Sequence, residues 1–128
     1  MMKSTLAAVL LAAFCLPAFG DCYVINNLKG QSVREFRGFD FFEDKYNAEP
    51  IEVTLAGDNS KATPLVGSCE ETRRNFLVCT TDSKSFIVET WHILPLERKA
   101  VWTKSRYWND NQMSGASILI GDIVGTRD

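Results

Sequence analysis

From residue 21 onward no window of the sequence repeats its apolar residues at helical spacing. Instead, short runs rich in Val, Ile, Thr, Phe, Trp and Tyr recur between polar or Gly-containing turns. A chain of this kind has no amphipathic helix with which to cover a core, so its strands must pair with one another. The predicted fold is mainly β: a small antiparallel meander, closed as a barrel or folded as a sandwich, of roughly six to eight strands.

Individual segments carry the pattern unequally. Ile51–Ala56 alternates Ile51, Val53 and Leu55 with Glu52 and Thr54, as a half-buried strand does. Asn75–Thr81 and Ser85–Ile93 flank Asp82-Ser83-Lys84, residues that bond their own backbone in tight turns. Ala100–Trp108 and Ala116–Val124 form a last pair, joined by Asn109–Gln112 and Ser114-Gly115. Cys22–Asn26 opens the series and runs into the turn-like Asn27–Gly30. Val33–Phe42 divides its four Phe between both faces and reads as a bent strand or a strand entering a loop. Ile118-Leu119-Ile120 lacks alternation, which places that strand in the middle of the core. Glu43–Ala48 and Pro95–Arg98 each suit a turn of helix.

Residues 1–20 read differently. One Lys precedes an Ala- and Leu-rich run, then Pro17-Ala18-Phe19-Gly20, which is the order of a secretory signal peptide. The uncharged stretch Ser4–Gly20 is 17 residues, at the bottom of the roughly 17 to 25 that span a bilayer. Small residues at Ala18 and Gly20 predict cleavage before Asp21 and no membrane anchor afterwards. The expected organisation is therefore a leader, 1–20, and a single β-rich domain, 21–128, exported to the periplasm or secreted. Asp21 before Cys22, and Phe14 before Cys15, argue against lipidation at either cysteine.

Cleavage would leave 13 basic against 16 acidic residues, a charge of −3. A mildly acidic domain has no general field to draw nucleic acid or anionic lipid. Cleavage would also remove Cys15 and leave Cys22, Cys69 and Cys79. In that odd set one cysteine must bond another chain or stay a thiol. The short spacing of Cys69 and Cys79 suits a bridge across a hairpin, and that pair is predicted; pairs of Cys22 with either remain open alternatives.

Chemistry-bearing motifs are scarce. His92 is the single histidine, and in Thr90-Trp91-His92-Ile93 it reads as a structural or surface residue. No signature activates a cysteine nucleophile, and one His with scattered Cys lacks paired metal-ligand spacing. Asp40, Glu43 and Asp44 lack the turn glycine and alternating ligands of a calcium loop. No catalytic residue, cofactor or metal is predicted, and an enzyme using Cys22 or His92 ranks last.

The most distinctive stripe lies after Ala100, where alternation puts Trp102, Lys104, Arg106 and Trp108 on one side of a strand. Trp and Arg are the residues most enriched at binding hot spots, so this stripe is the candidate surface for a protein or glycan partner. Its bland counterpart is a barrel strand whose Trp residues cap the core while the cations reach for water. Glu70–Arg74, between Cys69 and Cys79, is a second candidate, a charged loop pinned by a disulfide. These features predict a domain that binds another macromolecule, as an inhibitor or immunity-type factor; a small-ligand carrier with a barrel pocket is the alternative. The layout of leader, short barrel and disulfide is similar to that of small bacterial lysozyme inhibitors, though their inhibitory motifs are absent and the likeness is one of architecture.

Overall fold

The structure is a computed structural model that describes residues 21–65, 67–82, 85–108 and 114–127. Its nine strands are β1 (Asp21–Arg34), β2 (Phe42–Tyr46), β3 (Ile51–Leu55), β4 (Lys61–Thr63), β5 (Ser68–Arg73), β6 (Phe76–Asp82), β7 (Ser85–Leu94), β8 (Lys99–Trp108) and β9 (Gly115–Arg127). Eight of them make one antiparallel sheet in the order β4-β3-β1-β9-β8-β7-β6-β5, with β2 paired to β1 beside this path. The end strands β4 and β5 approach each other, so the sheet is barrel-shaped and nearly closed. The meander is thus a barrel and not a sandwich.

The 14-residue β1 organises the wall. Its first half pairs with β3, from Asp21↔Leu55 to Ile25↔Ile51, and its second half pairs with β2, from Leu28↔Tyr46 to Ser32↔Phe42. Its other edge follows β9 with register shifts at Val24/Ile25 and Asn26/Lys29. The predicted turn at Asn27–Gly30 is therefore an irregularity inside one strand. Asn27, at φ 59°, takes up the left-handed residue that a turn would have used. Gly30 is required where β1 meets β9, because a Cβ there would lie 1.9 Å from the Ile118 carbonyl oxygen.

Inward-facing residues of the lower half form the apolar core: Ile25, Leu28, Ile51, Val53, Leu55, Leu77, Ile93, Ala100 and Ile123. Above them Trp91 and Trp102, direct partners across β7 and β8, stack with ring centroids 5.1 Å apart and planes 6° from parallel. Tyr46 of β2 meets Trp102 edge-on at 5.8 Å. Each Trp buries about 150–250 Å², worth about 4–6 kcal/mol at ~25 cal/mol per Å², which makes this pair the largest packing element of a small core.

Several expectations are corrected. Glu43–Ala48 contributes to strand β2 and not to a helical turn, because Asp44 and Tyr46 alternate inward while Glu43 and Lys45 face water. Pro95–Arg98 is a tight turn closed by the Arg98 N–H on the Pro95 carbonyl. β9 is central in the sheet, yet of Ile118-Leu119-Ile120 only Leu119 is buried, since no element among the described residues covers the outer face there. The Asp82-Ser83-Lys84 and Asn109–Gln112 connections involve residues outside those described.

Cys69 and Cys79 form the expected disulfide between directly opposite residues of β5 and β6. Cys22 is fully buried, accepts a hydrogen bond from the Thr54 hydroxyl at 3.7 Å, and is itself half of a disulfide. No free cysteine thiol occurs among the described residues.

Candidate functional site

The last residues of β1, β6 and β8 and the first residues of β2, β5, β7 and β9 lie at one end of the barrel, the upper end, as the antiparallel registers require. The inward positions of this end are polar. Direct cross-strand partners Glu89↔Lys104, Lys104↔Ser117, Ile87↔Arg106 and Arg106↔Gly115 continue round to Arg34↔Gly115, Ser32↔Ser117 and Gly30↔Asp44. Three cations and two carboxylates therefore ring the space above the Trp pair.

This ring is wired by hydrogen bonds. The Arg34 guanidinium, with the residue only 8% exposed, donates to the carbonyls of Val33 (2.8 Å) and Ala116 (3.3 Å) and to Ser117 Oγ (3.3 Å). Ser32 Oγ lies 2.6 Å from Ser117 Oγ and 2.7 Å from Asp44 Oδ2. A hydroxyl carries one proton, so Ser32 donates to the accept-only Asp44 while Ser117 supplies its own. Glu89 accepts from Trp102 Nε1 at 2.8 Å, which ties the polar ring to the Trp layer.

Burial governs the charges. It pushes the Glu89 carboxyl above the usual carboxylate range, against the opposing pulls of the Trp102 hydrogen bond and of Lys104. It pushes the Lys104 ammonium below the usual lysine value; Glu89 opposes this, while Arg106 and Arg34 add to it. Arg106 is likewise lowered, by burial first and by Arg34 second, with Asp44 opposing.

The stripe predicted from sequence therefore turns inward. Trp102 is 5% exposed and stacked in the core, Lys104 sits with its Nζ 5.7 Å from the Trp102 ring centroid, and Lys104 and Arg106 are half-buried. Strand β8 faces Trp102, Lys104 and Arg106 into the barrel because Ala100 and Trp102 belong to the core, and alternation carries Lys104 and Arg106 to the same side. The Trp108 side chain lies outside the described residues. Glu70, Glu71 and Arg73 are part of β5 and not of a loop; the connection is the Arg74-Asn75 turn, where the Asn75 N–H donates to Glu71 Oε2 at 3.1 Å. His92 is exposed on the outer wall against Phe76, ring centroids 5.6 Å apart.

The rim of the upper end holds what the sequence reading missed. Between β1 and β2, a 3-10 turn at Glu35–Arg37 and left-handed Gly38 (φ 62°) and Phe39 (φ 61°) lead into Phe41. Backbone bonds fix this loop: Glu35 N–H to the Ser114 carbonyl, Gly38 N–H to Glu35, Phe39 N–H to Arg34 and Asp40 N–H to Arg37. Phe36, Phe39 and Phe41 remain 49%, 55% and 77% exposed. The Arg37 guanidinium stands 4.2 Å from the Phe42 ring centroid and 5.7 Å from that of Phe36, which stiffens the loop further. The clue in the sequence was the division of four Phe between both faces of one segment, since a single-walled barrel can bury only one of those faces.

No known protein family, curated protein or solved structure matches the chain. The geometry of the upper end is accordingly the basis on which function is read.

Proposed function

We propose that the protein is an exported binding protein that docks onto a protein partner through the rim of its barrel, with Phe36, Phe39 and Phe41 as the anchors. The observation that carries this is three large apolar rings held out to solvent on a loop whose backbone is fixed by four hydrogen bonds. A left-handed Phe is strained by roughly 1–2 kcal/mol, and exposed rings gain nothing in the free molecule. A pre-ordered loop of this kind loses little entropy on binding. Covering the exposed part of each ring would contribute about 2–4 kcal/mol at ~25 cal/mol per Å² before ordering costs. Glu35 and Asp40 flank the rings against Arg37 alone, which disfavours an anionic lipid surface and favours an apolar protein groove. Export rests on the leader-like residues 1–20.

The test replaces Phe36→Ser, Phe39→Asn and Phe41→Ser together and measures the affinity for the partner captured by the unaltered protein. Affinity should fall at least 100-fold with the thermal midpoint almost unchanged. Unaltered affinity, or transfer of the unaltered protein to lipid vesicles, contradicts the proposal.

A further inference from the structure

Among the described residues the polar ring inside the upper end holds three cations against two carboxylates, and two of the cations, Arg34 and Lys104, are in no salt bridge; Glu89 attracts Lys104 without contacting it. Arg34 is buried and donates only to neutral oxygens. Among the described residues Lys104 Nζ makes no hydrogen bond and stands over the Trp102 ring. Among the described residues neither lies within ion-pair distance of a carboxylate. Asp44 is engaged by Ser32, and Glu89 by Trp102. A buried cation without an anion is costly unless something completes it, and Lys104 and Arg106 are only half-buried, so the cluster reaches solvent.

We propose that this end of the barrel is a binding site for a compact oxyanion, a carboxylate or a phosphate group, held by Arg34, Lys104 and Arg106. Two planar guanidinium forks and an ammonium, Arg34 from β1 and Lys104 and Arg106 from β8 on either side of β9, match the several oxygens of such a group. The depressed proton affinity of Lys104 and Arg106 agrees with this, since each is disfavoured by burial and by a neighbouring cation. The oxyanion site stands apart from the loop proposal: its test needs no protein partner, so either can fail alone.

Inorganic phosphate and acetate are the probes, titrated into the full chain at constant ionic strength, with Trp emission and the thermal midpoint as readouts. Trp102, next to Lys104, is one of three Trp in the chain. Saturable changes in both readouts are expected, weakened at least tenfold by Lys104→Met. Lys45→Met is the control, because Lys29 and Lys45 face each other in an outer groove, lined also by Glu43 and Asp44, that is the competing pair of cations for an anion; it should leave the response intact. Preference for phosphate would point to a phosphorylated ligand, and preference for acetate to a carboxylate; both support the site. A non-saturable response, one that Lys104→Met leaves unchanged, or one that Lys45→Met removes overturns it.

Discussion

If the upper end retains for binding a half-buried cation that is in no salt bridge, removing that cation should make the protein more stable. Lys104→Met keeps the unbranched stem that packs on Trp102 and discards the ammonium. Replacing buried charge by apolar groups of similar size typically stabilises by about 1–4 kcal/mol. The low end applies here, about 1 kcal/mol, because Lys104 is half-buried and the change also removes its attraction to Glu89. That is an increase of about 0.5 M in the urea midpoint or about 4 °C in the thermal midpoint.

The pH dependence identifies the cause. The ammonium is held below its ordinary value in the folded state, so the unfolded chain binds more protons between the folded value and the unfolded value of about 10.4. The penalty in the unaltered protein is complete below the folded value and disappears as pH rises past the unfolded one. Urea unfolding followed by circular dichroism should therefore show the gain at pH ~7 and its loss near pH ~11. Destabilisation at neutral pH, or a gain that persists at high pH, would refute the reasoning.

Three further outcomes follow from the barrel. Replacing Cys69 and Cys79 by Ala, which opens a link of sequence separation 10, should cost about 3 kcal/mol by the loop-entropy relation, read as a lower urea midpoint. Trp91→Ala removes the fully buried half of the stacked pair and should cost about 3–5 kcal/mol; a loss under 1 kcal/mol would show that the pair is not central to the core. Gly30→Ala drives a methyl against the Ile118 carbonyl and should cost about 1–3 kcal/mol, with amide exchange accelerated first in β1 and β9.

The barrel was legible where burial falls on one face of a strand. Ile51, Val53 and Leu55 alternate with polar residues and occupy the inner wall as expected. The β6–β7 and β8–β9 pairs were also visible, because each is long and β-branched. Short strands were not: β4 has three residues, and β2 carries charges on both faces because its Asp44 points into the polar ring. The stripe of Trp102, Lys104 and Arg106 was correctly grouped on one side of β8, but a single strand does not say which side is inside. That was decided by Trp91 across the ladder. Exposed Ile118 and Ile120 misled for the same reason, since an apolar run looks alike whether one face or both are covered. The Phe loop escaped because its role depends on left-handed backbone at Gly38 and Phe39, which only the folded chain reveals.

The docking claim is tested most directly by placing a photo-crosslinking amino acid at Phe41 and, separately, at the highly exposed Leu96 in the β7–β8 turn at the opposite end. In an extract of the source cells, position 41 should give one adduct of defined mass, competed by excess unaltered protein and not by the Phe36, Phe39 and Phe41 variant; position 96 should give none. Adducts of equal yield from both positions, or from 96 alone, would contradict docking through the upper end of the barrel.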